Sequence, residues 1–211
     1  SKNSLKLPQL LALKTSAESK LTDVISKNTN YNNKVNERMV AFSNLKSFST
    51  RLVNALQTTD ATTETINDAK GYNRKMQGKK TSTTQTPTDP NAPAPATIST
   101  SQQSYDQLIQ HLAGLKSVLE SEPSYTPNET DLQVATIDAK IADLSAKNTA
   151  VATAYTNISN SRISRNETLY TGTNSIYETA TEVKKYIKSV FGASSPQYKQ
   201  VSGIKFSKPK L

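Results

Sequence analysis

The chain contains no cysteine, which removes disulfides, zinc–thiolate sites and thiol nucleophiles and leaves the redox compartment unread. Histidine occurs once, as His111, so a di-iron bundle, which draws a Glu-x-x-His pair from each of two helices, cannot be assembled. Aromatic residues make up 6% and hydrophobic residues 34% of 211 positions. That is below the usual globular balance and favours thin helical bundles over a thick core. Long apolar runs are missing as well. The longest, Leu10-Leu11-Ala12-Leu13, falls far short of the roughly 20 residues that cross a bilayer, and no cleavable leader precedes it. The expectation is a soluble chain, cytoplasmic or exported with its leader removed.

Acidic residues are scarce in two places. The first 80 residues hold 14 basic and 6 acidic side chains, and residues 193–211 hold 4 basic and none acidic, within a net charge of +9. Such an excess suits an acidic protein, nucleic acid or an anionic surface, and it also serves plain solubility.

Three stretches break the helical pattern. The first runs from Lys79 to Thr100, with Pro87, Pro90, Pro93 and Pro95 among Thr, Ser and Ala, a composition that neither continues a helix nor packs a core. The second is Glu122-Pro123-Ser124-Tyr125-Thr126-Pro127, and the third is the tail after Gly192. The organisation read from them is a first helical hairpin at 1–78, a Pro/Thr-rich linker at 79–100, an extra helix with a second hairpin at 101–192, and a basic tail at 193–211.

Between the breaks, apolar residues recur at helical steps. Leu10, Ala17, Val24, Tyr31, Leu45 and Leu52 form a heptad series, joined by Leu21, Val35, Phe42 and Leu56 on the alternate step. One helix from Pro8 to about Gln57 follows, carried by register through the poor helix formers Asn28 to Asn33. Val134, Ile137, Ile141, Leu144, Val151, Tyr155, Ile158 and Leu169 give a second long helix, from Pro127 to about Tyr170. Thr126, Pro127 and Glu129 supply the capping box at its start. Shorter helices are expected at about 60–78, at about 102–121 and at about 174–192, the last opening on Ser175-x-x-Glu178 and closing at Gly192.

The two hairpins resemble each other. A shift of 120 superposes Lys20-Leu21-Thr22-Asp23-Val24 on Lys140-Ile141-Ala142-Asp143-Leu144, and a shift of 114 superposes Glu64, Lys70, Tyr72 and Gly78 on Glu178, Lys184, Tyr186 and Gly192. Duplication of a long-helix/short-helix unit explains both matches, and neither hairpin would bury its stripe alone. Asn28 and Asn148 stand at equivalent core-facing steps, where a polar residue either fixes register or lines a wet seam. The fold read from the sequence is all-α: an elongated antiparallel helical bundle of two duplicated hairpins plus one extra helix.

Chemistry-bearing patterns are few. His111 has no carboxylate one turn away and reads as a rim residue, not a base or ligand. Glu120/Glu122 and Asp138/Asp143 are not spaced to share a helix face. No catalytic, cofactor or metal site is read, and no small-molecule substrate. Candidate partner- or anion-binding residues are Lys70, Arg74, Lys75, Lys79 and Lys80 at a helix C-terminal end, Arg162 and Arg165 where the second stripe lapses, and Lys199, Lys205, Lys208 and Lys210 in the tail. Tyr198 and Phe206 interleave with the tail lysines, where they could stack on bases or dock on protein.

The segment Tyr186-Ile187-Lys188-Ser189-Val190-Phe191-Gly192-Ala193-Ser194-Ser195-Pro196-Gln197-Tyr198-Lys199 resembles the ending of uncharacterised helical proteins of bacteria of the Bacteroidetes group. Asp68-Ala69-Lys70-Gly71-Tyr72-Asn73-Arg74-Lys75 is similar to an internal segment of the same proteins. The resemblance implies a bacterial source and brings no activity with it. The leading functional expectation is a non-catalytic structural or interaction bundle that binds another protein or copies of itself. Nucleic-acid binding by the basic first hairpin and tail is the alternative, and membrane insertion after rearrangement is a third reading that the modest hydropathy disfavours.

Overall fold

The structure, a computed structural model, describes residues 2–78 and 103–209. The linker assigned to 79–100 lies outside the described residues, as do Lys79, Lys80 and Lys210. Among the described residues there are seven α-helices and no strand: α1 (Leu7–Phe42), α2 (Leu45–Leu56), α3 (Thr63–Gln77), α4 (Tyr105–Glu120), α5 (Val134–Asn166), α6 (Ile176–Phe191) and α7 (Pro196–Ser202). The protein is an all-α helical bundle. It divides into two compact units, one of Ser1–Asn33 with Ala152–Leu211 and one of Lys34–Val151.

The first long helix is shorter than the heptad series suggests. It runs without interruption through Asn28 to Asn33 but ends at Phe42, and a turn at Ser43 and Asn44 separates it from α2. Leu45 and Leu52 keep the seven-residue spacing because both are core residues of α2, not because α1 continues. The second long helix also starts later than its capping box implies. Tyr125 is buried and donates its hydroxyl to the Leu132 carbonyl at 2.9 Å, which holds the chain in a loop and a 3-10 turn (Thr130–Leu132) until α5 begins at Val134. At the far end α5 passes into one π-type turn (Glu167–Thr171), closed by the Gly172 amide donating to the Glu167 carbonyl at 2.8 Å.

In the unit Lys34–Val151, α2, α3 and α4 enclose the core with parts of α1 and α5. Leu45, Leu52, Leu56, Met76, Leu112, Leu115, Ile137 and Leu144 are all fully buried there. Two devices bring the helices close. Asn73 on α3 accepts from Ser49 on α2 at 2.8 Å, and Gln77 donates to the Lys46 carbonyl at 2.8 Å, so polar groups facing the α2–α3 seam are paired. On α4, Gly114 leaves room for the Tyr72 ring of α3: a Cβ there would lie 2.2 Å from Tyr72 Cε1. α3 begins at the Thr62 cap, whose hydroxyl accepts from the Thr65 amide, and ends at Gly78 with φ of 77°, a left-handed conformation that suits glycine.

In the unit containing both chain ends, α1 and α5 run antiparallel. Ser161 donates to Asp23 at 2.6 Å, and the Tyr31 and Tyr155 rings sit 5.9 Å apart. Among its described residues the buried apolar ones are Ala17, Ala154 and Ile158. α6 packs on the π-type turn, on α7 and on a 3-10 turn at Asn3–Leu5, with Lys2 paired to Glu182. The Ser175 cap accepts from the Glu178 amide. The tail after Gly192, read as a break in the helical pattern, contains α7, capped by Ser195 with Pro196 in its first turn.

The proposed repeat partners share local form but not surroundings. α3 and α6 both open on a Thr or Ser cap with an acid in the first turn and end at a glycine of positive φ. Leu21 is exposed where Ile141 is half-buried, and Val24 is half-buried where Leu144 is fully enclosed. Asn148 is bonded on both sides, accepting from Arg38 Nη1 at 2.8 Å and donating to Asp106 at 2.7 Å. It ties α1, α4 and α5 together within its unit.

Candidate functional site

The charged candidates fall on different elements. Lys70 is half-buried and Arg74 and Lys75 are exposed at the end of α3. Lys75 lies over the Tyr72 ring, its nitrogen 5.4 Å from the centroid. Arg162 is exposed on α5, whereas Arg165 is half-buried and donates to Asn166 at 2.7 Å. Lys199, Lys205 and Lys208 are exposed. The tail aromatics already have companions: the Lys184 ammonium stands 4.9 Å from the Phe206 centroid and that of Lys188 stands 5.8 Å from Tyr198. Lys184 also donates to the Ser202 carbonyl at 3.3 Å and to that of Ile204, which fixes the segment after α7. Stacking on bases would first require those contacts to break.

His111 is buried rather than at a rim, with Nε2 lacking a hydrogen-bond partner. Burial, and then the nearby Lys75 charge, lower its pKa from the ordinary value. Elsewhere in that unit several ionic groups are paired, within helices and between them. Glu37 accepts from Lys34 at 2.9 Å and from Lys147 at 3.5 Å, and its carboxyl is held below the usual range chiefly by the Lys34 bond. Arg38 lies over the Tyr105 ring at 4.0 Å. Lys116 joins Glu120 and Asp138 at 3.0 and 3.1 Å. Pairing of this kind reads as architecture.

What stands out is apolar surface left in water on α1. Leu7, Leu11, Leu21 and Ile25 are 67%, 55%, 44% and 68% exposed. Lys14 and Glu18, both well exposed and 3.7 Å apart, lie between them. The six residues follow steps of 4, 3, 4, 3 and 4, so they share one narrow face. The inward face carries Leu10, Leu13, Ala17, Val24 and Tyr31, all buried or half-buried. Sequence reasoning placed Leu21 on the buried seam and missed the second face because Lys14 and Glu18 interrupt its apolar run. The regular 3–4 spacing was the available signal.

Other exposed apolar groups in the same unit are Tyr155 and Ile163 on α5, Tyr186, Val190 and Phe191 at the end of α6, and Ile204 and Phe206 in the tail. A groove of about 230 Å³ opens between Leu10 and Leu13 on α1, Val183 on α6, and Val201 and Phe206. In the unit Lys34–Val151 a hollow of about 510 Å³ is lined by Phe48, Arg51, Asp131 and Lys140. Arg51 and Asp131 close on each other at 2.5 Å at its edge. Among the described residues no group of three or more histidine or acidic side chains is placed to hold a metal ion, and no helix is long and apolar enough to cross a membrane.

No family model, no curated protein and no solved structure matches the chain.

Proposed function

We propose that this protein is a non-catalytic helical bundle whose work is to bind protein, and that α1 carries the binding face. The observation behind this reading is the exposed stripe from Leu7 to Ile25, set at coiled-coil spacing on a helix whose adjoining face is already packed. Apolar side chains spaced along one helix face are what a partner helix reads, through knobs-into-holes contacts. Scattered single exposed leucines need no such account. Nucleic-acid binding draws less support, because Tyr198 and Phe206 are engaged with lysines of α6 and Arg165 with Asn166.

A photoactivatable side chain at Ile25 in the full chain should cross-link to protein, either this chain or another. The same probe at Ser16, which lies off the stripe and is exposed, should capture far less. Equal capture from both positions, or none from Ile25, removes the reading.

A further inference from the structure

We infer that the occupant of the α1 stripe is a second copy of this chain, lying antiparallel across a two-fold axis level with residue 16. The inference rests on the protein-binding reading above and names its partner. The stripe is a palindrome. Residues 7 and 25, 11 and 21, and 14 and 18 are each symmetric about position 16. Reversing the direction of a second α1 therefore sets Leu7 against the partner's Ile25, Leu11 against the partner's Leu21, and Lys14 against the partner's Glu18. Every apolar residue meets an apolar residue, and every charge meets its opposite.

Helix geometry supports the same pairing. Steps of 4 and 3 assign Leu7, Lys14 and Leu21 to one heptad core position and Leu11, Glu18 and Ile25 to the other. Each antiparallel layer then joins one position of each kind. A two-fold contact must be self-complementary, since residue i meets j while j meets i, and this face meets that demand with its own sequence. A parallel pair in register would instead put Lys14 beside the partner's Lys14 and Glu18 beside the partner's Glu18, a like-charge arrangement that penalises the wrong orientation. The ionic centre thus sets direction and register, while the leucines on either side supply the burial.

One flank leaves room. On that side Ala12, Thr15, Ser19, Thr22 and Ser26 border the stripe, all exposed and uncharged, while the other side is the packed flank of Leu10, Ala17 and Val24. The Thr22 hydroxyl folds back onto the Glu18 carbonyl at 3.0 Å instead of reaching outward. From Leu7 to Ile25 the contact would extend roughly 27 Å at 1.5 Å per residue, about five turns of each helix.

The test uses two charge variants of the full chain. Lys14→Glu leaves two carboxylates on the stripe, and Glu18→Lys leaves two ammoniums. Each alone faces only like charge in the antiparallel pair. The unaltered chain should sediment as a dimer, each variant should dimerise at least about 100-fold more weakly, and an equal mixture of the two should restore the dimer. Helix content by circular dichroism should match in all samples, because an exposed i,i+4 pair contributes only a few tenths of a kcal/mol.

Orientation is read separately. Since the chain has no native thiol, Leu7→Cys and Ile25→Cys proteins should form a disulfide when mixed and not when kept apart. A monomeric unaltered chain, failure of the mixture to recover, or cross-linking of Leu7→Cys with itself overturns the proposal. If the chain is monomeric while the probe at Ile25 captures a different protein, self-pairing is refuted and the broader protein-binding reading stands. If the probe captures nothing, both fall.

Discussion

Replacing Gly114 by alanine tests whether α3 and α4 pack as closely as the structure shows. By helix propensity alone the change should stabilise α4 by about 0.8–1.0 kcal/mol. The added Cβ would lie 2.2, 2.5 and 2.9 Å from three atoms of the Tyr72 ring, whereas ordinary contact begins at 3.4 Å, so the ring would have to retreat by 1.2 Å at its nearest atom. Overpacking of this kind costs about 1–3 kcal/mol, which leaves a net loss of about 1 kcal/mol. In a Tyr72→Ala background the obstacle is gone, and the same Gly114→Ala change should become stabilising by about 1 kcal/mol. The coupling is then about 2 kcal/mol, within the range for residues in contact. Urea denaturation of the four proteins, followed by circular dichroism, reads the cycle. A Gly114→Ala protein more stable than the unaltered chain would refute the close approach.

Other perturbations address separate parts of the same unit. His111 has a lowered pKa through burial and then Lys75, so the unfolded chain takes up the proton first; stability is intact above pH about 6.5 and declines as pH falls below it. His111→Leu should flatten the urea midpoint between about pH 7.5 and 5.5, and an unchanged slope would show that another group is responsible. The Tyr125 hydroxyl is pushed up to about 12, mainly by burial; the fold therefore holds the neutral phenol, and its contribution is present below about pH 10 and lost as pH rises toward 12. Tyr125→Phe should remove that alkaline loss and, by breaking the bond to the Leu132 carbonyl, cost about 1–3 kcal/mol at neutral pH. Leu56→Ala, at a fully buried position, should cost about 2–5 kcal/mol by thermal or urea melting. Met39→Ala, at a position 56% exposed, should change stability by less than about 0.5 kcal/mol.

Much of the fold was legible where local chemistry and packing agree. Ser175 gave the start of α6, and Gly78 and Gly192 gave the ends of α3 and α6, because an oxygen that accepts from a first-turn amide and a residue free to take positive φ are local requirements. Continuity through Asn28 to Asn33 was also legible, since the inward residues Val24, before the run, and Tyr31, within it, outweigh its poor propensity. Boundaries were lost where a distant contact decides. Thr126, Pro127 and Glu129 look like a helix start, yet the buried Tyr125 and its bond to Leu132 hold that stretch outside α5. The turn after Phe42 was hidden because Leu45 and Leu52 preserve the heptad count across it. α7 was missed although Ser195-Pro196 is a common opening for a helix. Of the candidate surface, the basic residues were visible as charges, but the outward stripe was not separable from the inward seam. Both repeat every seven residues, and only packing shows which one has been covered.

The slender interior around Ala17, Ala154 and Ile158 has a consequence for how the molecule comes apart. With two alanines and one isoleucine sequestered, little hydrocarbon is withdrawn from solvent there, and the helical ladder must be sustained by other means. Because α1 is a single run of backbone bonds, its loosening in the unpaired chain would begin near Leu7 and travel inward, so amide protons close to that end would be traded for deuterium long before those of α2. Heat would then draw out a gradual melt ahead of the sharper collapse of the leucine-rich interior.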